Sequence, residues 1–409
     1  MKIDYYLGLD AAKHKVRVAL RGRAERFLLE RDLPVNAAGR RELFALLARH
    51  LPAGATLLVL IEATGVLHLH WAAALSKAGH AVAVINPLMA RRLHRVKNSL
   101  RENKTDPIDA RSLCALAARD GIELLEKYRF SLAPARCALQ RLESVRQSWR
   151  HALTNLKKTY GSLLDLIFPE LGQLLEIDGV GIRALLRKAP TPQAIARLPL
   201  STLEKDWKLR PKAARLKALA ADSMADPELA AASAPALVAL LQSMAELEAR
   251  LLALDRQIEE LAFQAADPAR HQILQTLPGF GPISAAKLIA YLPEELLQSG
   301  SNRTAATRLQ AFMGNDPRLK ESGQFKGQAK MSKRGVEILR TSFFQAAFTA
   351  SVADPELKAF YQRKRAQGKP HQVALSHLMR ILTRRLVAVL RSGQPYHPNY
   401  HEQLLKKAA

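Results

Sequence analysis

Four carboxylates in the first quarter of the chain carry the spacing of a reactive site. Asp10 closes the run LGLD, and Glu62 closes LLVLIE. Glu62 follows five apolar residues, a setting in which a charge is costly without a partner. Asp106 and Asp109 lie three apart in NKTDPIDAR. That spacing puts both on one face of a helix's first turn, with Pro107 at the favoured first position. Taken singly, Asp10 reads as a turn residue after a strand and Asp106 as a helix cap. Gathered at one point, four carboxylates repel unless cations lie between them, and hard divalent ions, Mg2+ or Mn2+, suit such oxygen ligands. Two such ions clamp the attacking and leaving oxygens of a phosphodiester. Metal-assisted phosphodiester chemistry is the expectation, with Asp10, Glu62, Asp106 and Asp109 as ligands.

A second constellation lies far downstream, in GNDPRLKESGQFKGQAKMSKRG. Ser322 stands there among Arg318, Lys320, Lys326, Lys330, Lys333 and Arg334. A hydroxyl is a weak nucleophile that needs a base, a metal or dense positive charge beside it. The residues alone favour the plainer reading, since a Ser-Gly pair in a loop is ordinarily a turn; Ser332 reads as a helix cap and Ser342 as a core-facing residue. The six basic residues suit a phosphate backbone. A third segment, LQTLPGFGPISAAKLIAYL at 274–292, has the apolar–Gly–apolar–Gly pattern of a helix-hairpin-helix. Gly279 and Gly281 would let backbone approach a phosphate, and Lys287 would add a charge. The alternative is a tight turn between packed helices. IDGVGIRALL at 177–186 is similar and reads either as a second copy or as a chance match.

The elements that must position these residues follow from hydrophobic period. Residues 3–9, 16–20 and 26–33 read as three strands, 39–50 as a helix, 56–61 as a strand, 67–78 as a helix, 81–85 as a strand ended by Pro87, and 108–120 as a helix. Three strands able to pair as a meander, then strand–helix units, give a mixed sheet flanked by helices. Carboxylates at the ends of the first and fourth strands can then converge. Next come two long amphipathic helices, 134–168 and a heptad seam from Leu237 to Leu261. They can pair inside one chain or join protomers. Residues 169–235 between them read as a small helical insert. The expected domains are 1–130, 131–267 and 268–409.

Composition narrows the partner. The chain has 409 residues and 62 Lys and Arg against 37 Asp and Glu, a net charge of +25. A polyanion, nucleic acid above all, is the natural partner. Residues 301–409 alone hold 20 Lys and Arg against 6 Asp and Glu, so about half of the excess lies in the last quarter. A hydrophobic fraction of 48% argues against a disordered basic tail. Cys114 and Cys137 form no metal-ligand or disulfide pattern, which fits a reducing cytosol. The start lacks an apolar signal region, and no run approaches a membrane span.

LGLDAAK, IEATG, VINP and NKTDPIDAR, in that order over about the first 125 residues, resemble the signature blocks of DEDD transposases of the insertion-sequence 110 and 1111 group. They are also similar to the Piv-type invertases. The resemblance implies a RuvC-like RNase H fold for 1–130 and assigns the metal ligands to Asp10, Glu62, Asp106 and Asp109, with Lys104 of the same block on nucleic acid. Gly314, Pro317, Ser322 and Gly323 match the group's GxxPxxxxSG block, which carries its catalytic serine over to Ser322. Asn315 departs from the apolar residue more usual after that glycine, and the insert is longer than in short members. The resemblance further implies cleavage and rejoining of donor and target DNA through a phosphoserine, a structured guide (bridge) RNA, and a homo-oligomer, dimer or tetramer, in which serine and carboxylates meet across protomers. The competing expectation is a junction resolvase or nuclease in which the carboxylates activate water and Ser322 is structural.

Overall fold

Strand pairing begins with the three apolar runs at the start of the chain. The computed structural model describes residues 3–23, 26–63, 65–87, 90, 110–131, 133–205, 209–265, 268–298, 300–318, 321–322, 325–326 and 330–398, with backbone alone at 127, 318, 321–322, 325–326 and 330. β1 (Tyr5–Ala11), β2 (Lys15–Gly22) and β3 (Phe27–Pro34) form an antiparallel meander. Then come α1 (Ala37–His50), β4 (Leu57–Glu62), α2 (His68–Lys77), β5 (Ala81–Ile85) and α3 (Ala110–Tyr128). β4 pairs parallel with β1 and β5 parallel with β4, giving the order β3-β2-β1-β4-β5. The element order matches the expectation. α1 starts two residues earlier than periodicity indicates, because the Asn36 side chain caps it by accepting from the Gly39 N–H at 2.9 Å. The expected start of the last helix at 108 lies outside the described residues.

Side chains alternate across the sheet. Leu7, Leu9, Val59 and Ile61 pack with Leu43, Leu47, Trp71 and Leu75 of α1 and α2. Leu58 and Leu60 pack on the opposite face with Leu113, Ala117 and Leu124 of α3. The sheet is thus covered on both faces, and these elements form one compact unit, Met1–Ala133.

The second unit, Pro134–Ala409, is mostly helical. It begins with α4 (Pro134–Ile167). The short helices α5 (Leu171–Leu174), α6 (Val180–Lys188), α7 (Pro192–Arg197), α8 (Leu200–Glu204) and α9 (Ala213–Ala221) follow. The long α10 (Pro227–Ala265) returns. Tyr160, Leu164 and Ile167 at the end of α4 share a core with Leu237, Leu241 and Met244 early in α10, while Leu139 meets Leu254 and Ile258. The two helices therefore run antiparallel, and the heptad seam is filled within the chain. α10 starts inside the segment read as insert and runs through Pro235. A proline removes one helical hydrogen bond, and the helix is carried past it by Ala230, Ala234 and Leu237, all buried.

A last helical core holds α11 (Pro268–Gln275), α12 (Pro282–Tyr291), α13 (Glu295–Gln298), α14 (Asn302–Met313), α15 (Glu337–Ala353), α16 (Pro355–Ala366) and α17 (His371–Ser392). Between α14 and α15 the chain makes a narrow arm. β6 (Pro317–Arg318) pairs with β9 (Lys330–Met331), and β7 (Glu321–Ser322) pairs with β8 (Phe325–Lys326). No described helix is long and apolar enough to cross a membrane.

Candidate active site

Asp10 and Glu62 are brought together by strand register. Leu9 pairs with Ile61 in the parallel β1–β4 ladder, and each carboxylate is the next residue of its strand. Neighbouring strands lie about 4.8 Å apart, so the two carboxylates stand side by side at the C-terminal ends. Both are half-buried. By alternation they share the face of Gly8 and Leu60, the face that α3 covers. Across the antiparallel ladder the register partner of Asp10 is Arg17.

Three contacts fix where α3 begins on that face. A Cβ on Gly8 would lie 2.0 Å from the Ala110 carbonyl oxygen and 2.4 Å from the Cys114 nitrogen, so only glycine permits the approach. The Cys114 thiol donates to the Tyr6 carbonyl at 3.1 Å. Burial pushes that thiol up to about 12, which leaves it unreactive. Arg111 lies over the Phe27 ring at 4.6 Å and pairs with Glu30 at 3.3 Å. The residue bonded to Ala110 on its N-terminal side is Asp109. Asp106, Asp109 and Lys104 themselves lie outside the described residues. Among the described residues no group of three or more His, Cys, Asp or Glu gathers. Asp10 and Glu62 supply two carboxylates, the donor chemistry that a hard divalent cation prefers.

Ser322 occupies the outer ladder of the arm, in register with Phe325, and the two residues between them in sequence are Gly323 and Gln324. In backbone register Lys326 stands opposite Glu321, and Arg318 opposite Lys330. Lys320 lies outside the described residues. Lys333 and Arg334 are exposed at the foot of the arm, Lys333 with φ of 53°.

That foot is a backbone-to-backbone junction. Gly314 ends α14 with φ of 71°, a left-handed conformation that favours glycine. A Cβ there would meet the Gly335 nitrogen at 2.6 Å, and one on Gly335 would meet the Phe312 carbonyl oxygen at 2.0 Å. The Lys333 N–H donates to the Gly314 carbonyl at 3.0 Å, and the Ser332 hydroxyl donates to Asp316. Ser332 is thus a clasp across the arm and not the helix cap its position suggests, because Val336 precedes α15. Ser342 faces the core, as its spacing indicates. Sequence reasoning missed the clasp because its two halves lie 16 residues apart.

The Gly279–Gly281 turn does join two helices, α11 and α12. A Cβ on Gly279 would lie 2.2 Å from the Ala346 carbonyl oxygen of α15, so this glycine serves helix packing; at Gly281 no described residue would come within 4 Å of a Cβ. Lys287 corrects the expectation of a phosphate contact. It is buried and paired with Glu143 of α4 at 3.1 Å. Its pKa is held below the usual lysine range, chiefly by burial, against the opposing pull of Glu143. Glu143 is 2% exposed and also faces Arg146.

Residues 7–169 match the DEDD-type IS110 family model described as a transposase. Residues 271–362 match a second model, the transposase IS116/IS110/IS902 family. The two cover the carboxylate strands and the serine arm. The chain belongs to this transposase family. Relatives support the assignment over nearly the full length. The transposase is 27% identical to a Streptomyces coelicolor mini-circle protein named for transposition of IS117, over 96% of this chain and 95% of the relative. It is 27% identical to the 43.6 kDa protein of insertion element IS110 of the same organism, over 96% of each. A shorter match, 27% over 135 residues, is to the pilin gene-inverting protein of Moraxella lacunata, spanning 32% of this chain and 40% of that one. The transposase is a DNA-recombining enzyme, and its net charge of +25 suits that substrate.

Proposed function

We propose that this transposase, encoded by an insertion sequence, cuts and rejoins DNA through a covalent phosphoserine on Ser322, with Asp10, Glu62, Asp106 and Asp109 holding Mg2+ or Mn2+. The observation that carries the reading is the register adjacency of Asp10 and Glu62 on the sheet face where α3 begins, one residue after Asp109. The sheet order, with β2 alone antiparallel to the rest, supports a RuvC-like RNase H fold for unit 1. When bound, the metal supplies charge neutralisation at the phosphate oxygens.

The reaction balances without an external reagent. The Ser322 hydroxyl loses its proton as its oxygen bonds to phosphorus. The phosphorus–oxygen bond to the leaving strand breaks, and that strand's oxygen takes up a proton. The phosphoserine ester retains the phosphodiester's bond for rejoining. A hydroxyl of another strand attacks it, and serine leaves with a proton restored. The basic residues of the arm, Arg318, Lys320, Lys326, Lys330, Lys333 and Arg334, lower the cost of the serine's ionisation and hold the backbone.

A structured guide RNA completes the proposal. Base pairing would choose donor and target sites, leaving the protein to read shape and backbone; a chain with abundant Lys and Arg and 6% aromatics supports that division. A dimer or tetramer is the proposed assembly, supported by Val145 on α4 and Leu252 on α10, which stay exposed on the paired helices. The bacterial cytoplasm is the proposed compartment.

The test is a denaturing gel of labelled donor DNA after incubation with protein and Mg2+. Wild type should form an adduct resistant to detergent, and Ser322→Ala none. If Ser322→Ala cuts without an adduct while Asp10→Ala does not cut, the enzyme is a water-activating nuclease or resolvase. Sequencing of RNA that co-purifies with the protein tests the guide, and recovery of random RNA alone refutes it.

A further inference from the structure

The basic residues discussed so far cluster near Ser322, yet the longest stretch without a carboxylate lies elsewhere. From Leu357 to Gly393 the sequence has nine Lys and Arg and no Asp or Glu. Four of them, Arg363, Lys364, Arg365 and Lys369, crowd the connection between α16 and α17. Arg363, Arg365 and Lys369 are exposed. Among the described residues none of the four pairs with a carboxylate: Arg363 and Lys364 lie over the Phe360 ring at 5.7 and 5.5 Å, Lys364 donates to the Gln367 side chain at 3.0 Å and Arg365 to the Lys369 carbonyl at 2.8 Å. His377, nearly two helix turns into α17, is held below the usual histidine range, first by burial and then by Lys364, Arg380 and Lys369. Lys364 and Lys369 therefore act on one small region.

Aromatic rings border the same region. His371 at the start of α17 meets Phe348 of α15 edge-on, with centroids 6.2 Å apart, and Tyr361 of α16 at 5.8 Å. The Tyr361 hydroxyl is 2.7 Å from His371 Nδ1. Phe348 is 52% exposed, and Val352, one turn along α15, and Val373, two residues after His371, are exposed too. An exposed aromatic ring near cations that pair with no described carboxylate has an ordinary use. Unpaired bases stack on such rings while the cations take the phosphates between them. A double helix keeps its bases stacked and offers no such face. A second copy of this chain is disfavoured as the occupant, because a self-complementary contact would set the same four cations against each other.

We propose that Phe348, Tyr361 and His371, with Arg363, Lys364, Arg365 and Lys369, form a docking surface for single-stranded DNA. The occupant is DNA because the transposase recombines DNA, and exchanging strands exposes unpaired bases. The surface stands whether or not Ser322 is the nucleophile, since binding needs no covalent step.

The test measures fluorescence anisotropy of a labelled mixed-sequence DNA single strand on the full-length protein, with an equal-length duplex and the matching RNA as comparisons. Phe348→Ala should weaken the single strand about tenfold and leave the duplex unchanged. Phe348→Leu, which keeps the surface apolar but removes the ring, should do the same. Arg363→Gln with Lys364→Gln and Arg365→Gln should lower the dependence of log affinity on log salt by about 2, at roughly 0.7 per phosphate contact on a single strand. Circular dichroism of each variant should match wild type. Equal weakening of single strand and duplex by Phe348→Ala, or none of either, overturns the proposal. So does tighter binding of the RNA than of the DNA strand, or loss of self-association in Phe348→Ala at unchanged affinity.

Discussion

Gly8 of β1 and Ala110 of α3 meet backbone to backbone, so close that a methyl group on Gly8 would lie 2.0 Å from the Ala110 carbonyl oxygen. This contact sets where α3 begins relative to Asp10, two residues further along β1. Gly8→Ala should therefore push α3 off the sheet. Unit 1 should lose on the order of 2–3 kcal/mol, as overpacking of a tight core does, and cleavage should fall further than stability explains. Urea unfolding and DNA cleavage, measured on the same preparation, check both. Unchanged cleavage in a folded Gly8→Ala protein would sink the positioning argument.

Asp10→Asn and Glu62→Gln keep size and hydrogen bonding but remove charge. Each should abolish detectable cleavage, because a neutral amide cannot hold the divalent cation that the carboxylates would share. Chelation of divalent metal should stop wild-type cleavage in the same way, with DNA binding retained. Wild-type rates in excess chelator would refute the metal reading.

Asn315 is 5% exposed, and its amide nitrogen has no hydrogen-bond partner among the described residues. An apolar residue of similar volume avoids that desolvation cost. Asn315→Leu should raise stability by about 1 kcal/mol, read as a higher urea midpoint at unchanged slope. Destabilisation would show that the amide is satisfied in solution.

Glu143 neutralises Lys287 inside unit 2, with Arg146 held additionally by Asp255. Glu143→Gln leaves the buried ammonium uncompensated and should cost about 3 kcal/mol, the scale for breaking a buried pair. Adding Lys287→Met should recover most of the loss. A double mutant no better than Glu143→Gln alone would argue against the pair.

His271 is 3% exposed, with Nδ1 at 3.0 Å from the Gln275 amide nitrogen. Burial, the leading cause, lowers its pKa below the ordinary value of 6.5, against Glu259, which raises it. Between those two pKa values the unfolded chain holds a proton that the folded chain lacks. The stability contribution is therefore complete above about pH 6.5 and is lost as pH falls towards the folded value. His271→Gln should flatten the acid side of the stability curve in that window, as followed by thermal melts from pH 7 to 5. An identical curve would rule this histidine out.

The sequence alone determined the order of strands and helices along unit 1, the two long helices, the carboxylates at strand ends and the basic segment around Ser322. These are local patterns: apolar alternation, heptad spacing and charge cost show within a short window of residues. Tertiary structure decided what each residue faces. Lys287 looked like a free cation beside a glycine turn, and it is buried because Glu143, 144 residues earlier in sequence, lies against it. Ser332 looked like a cap, and Asp316 takes its hydroxyl instead. Gly279 looked made for a phosphate, and the Ala346 backbone takes its space. The seam of α10 offered a choice of partners, and α4 fills it. Pairwise contact between distant segments depends on how helices and strands pack in three dimensions, and no window of sequence contains both partners.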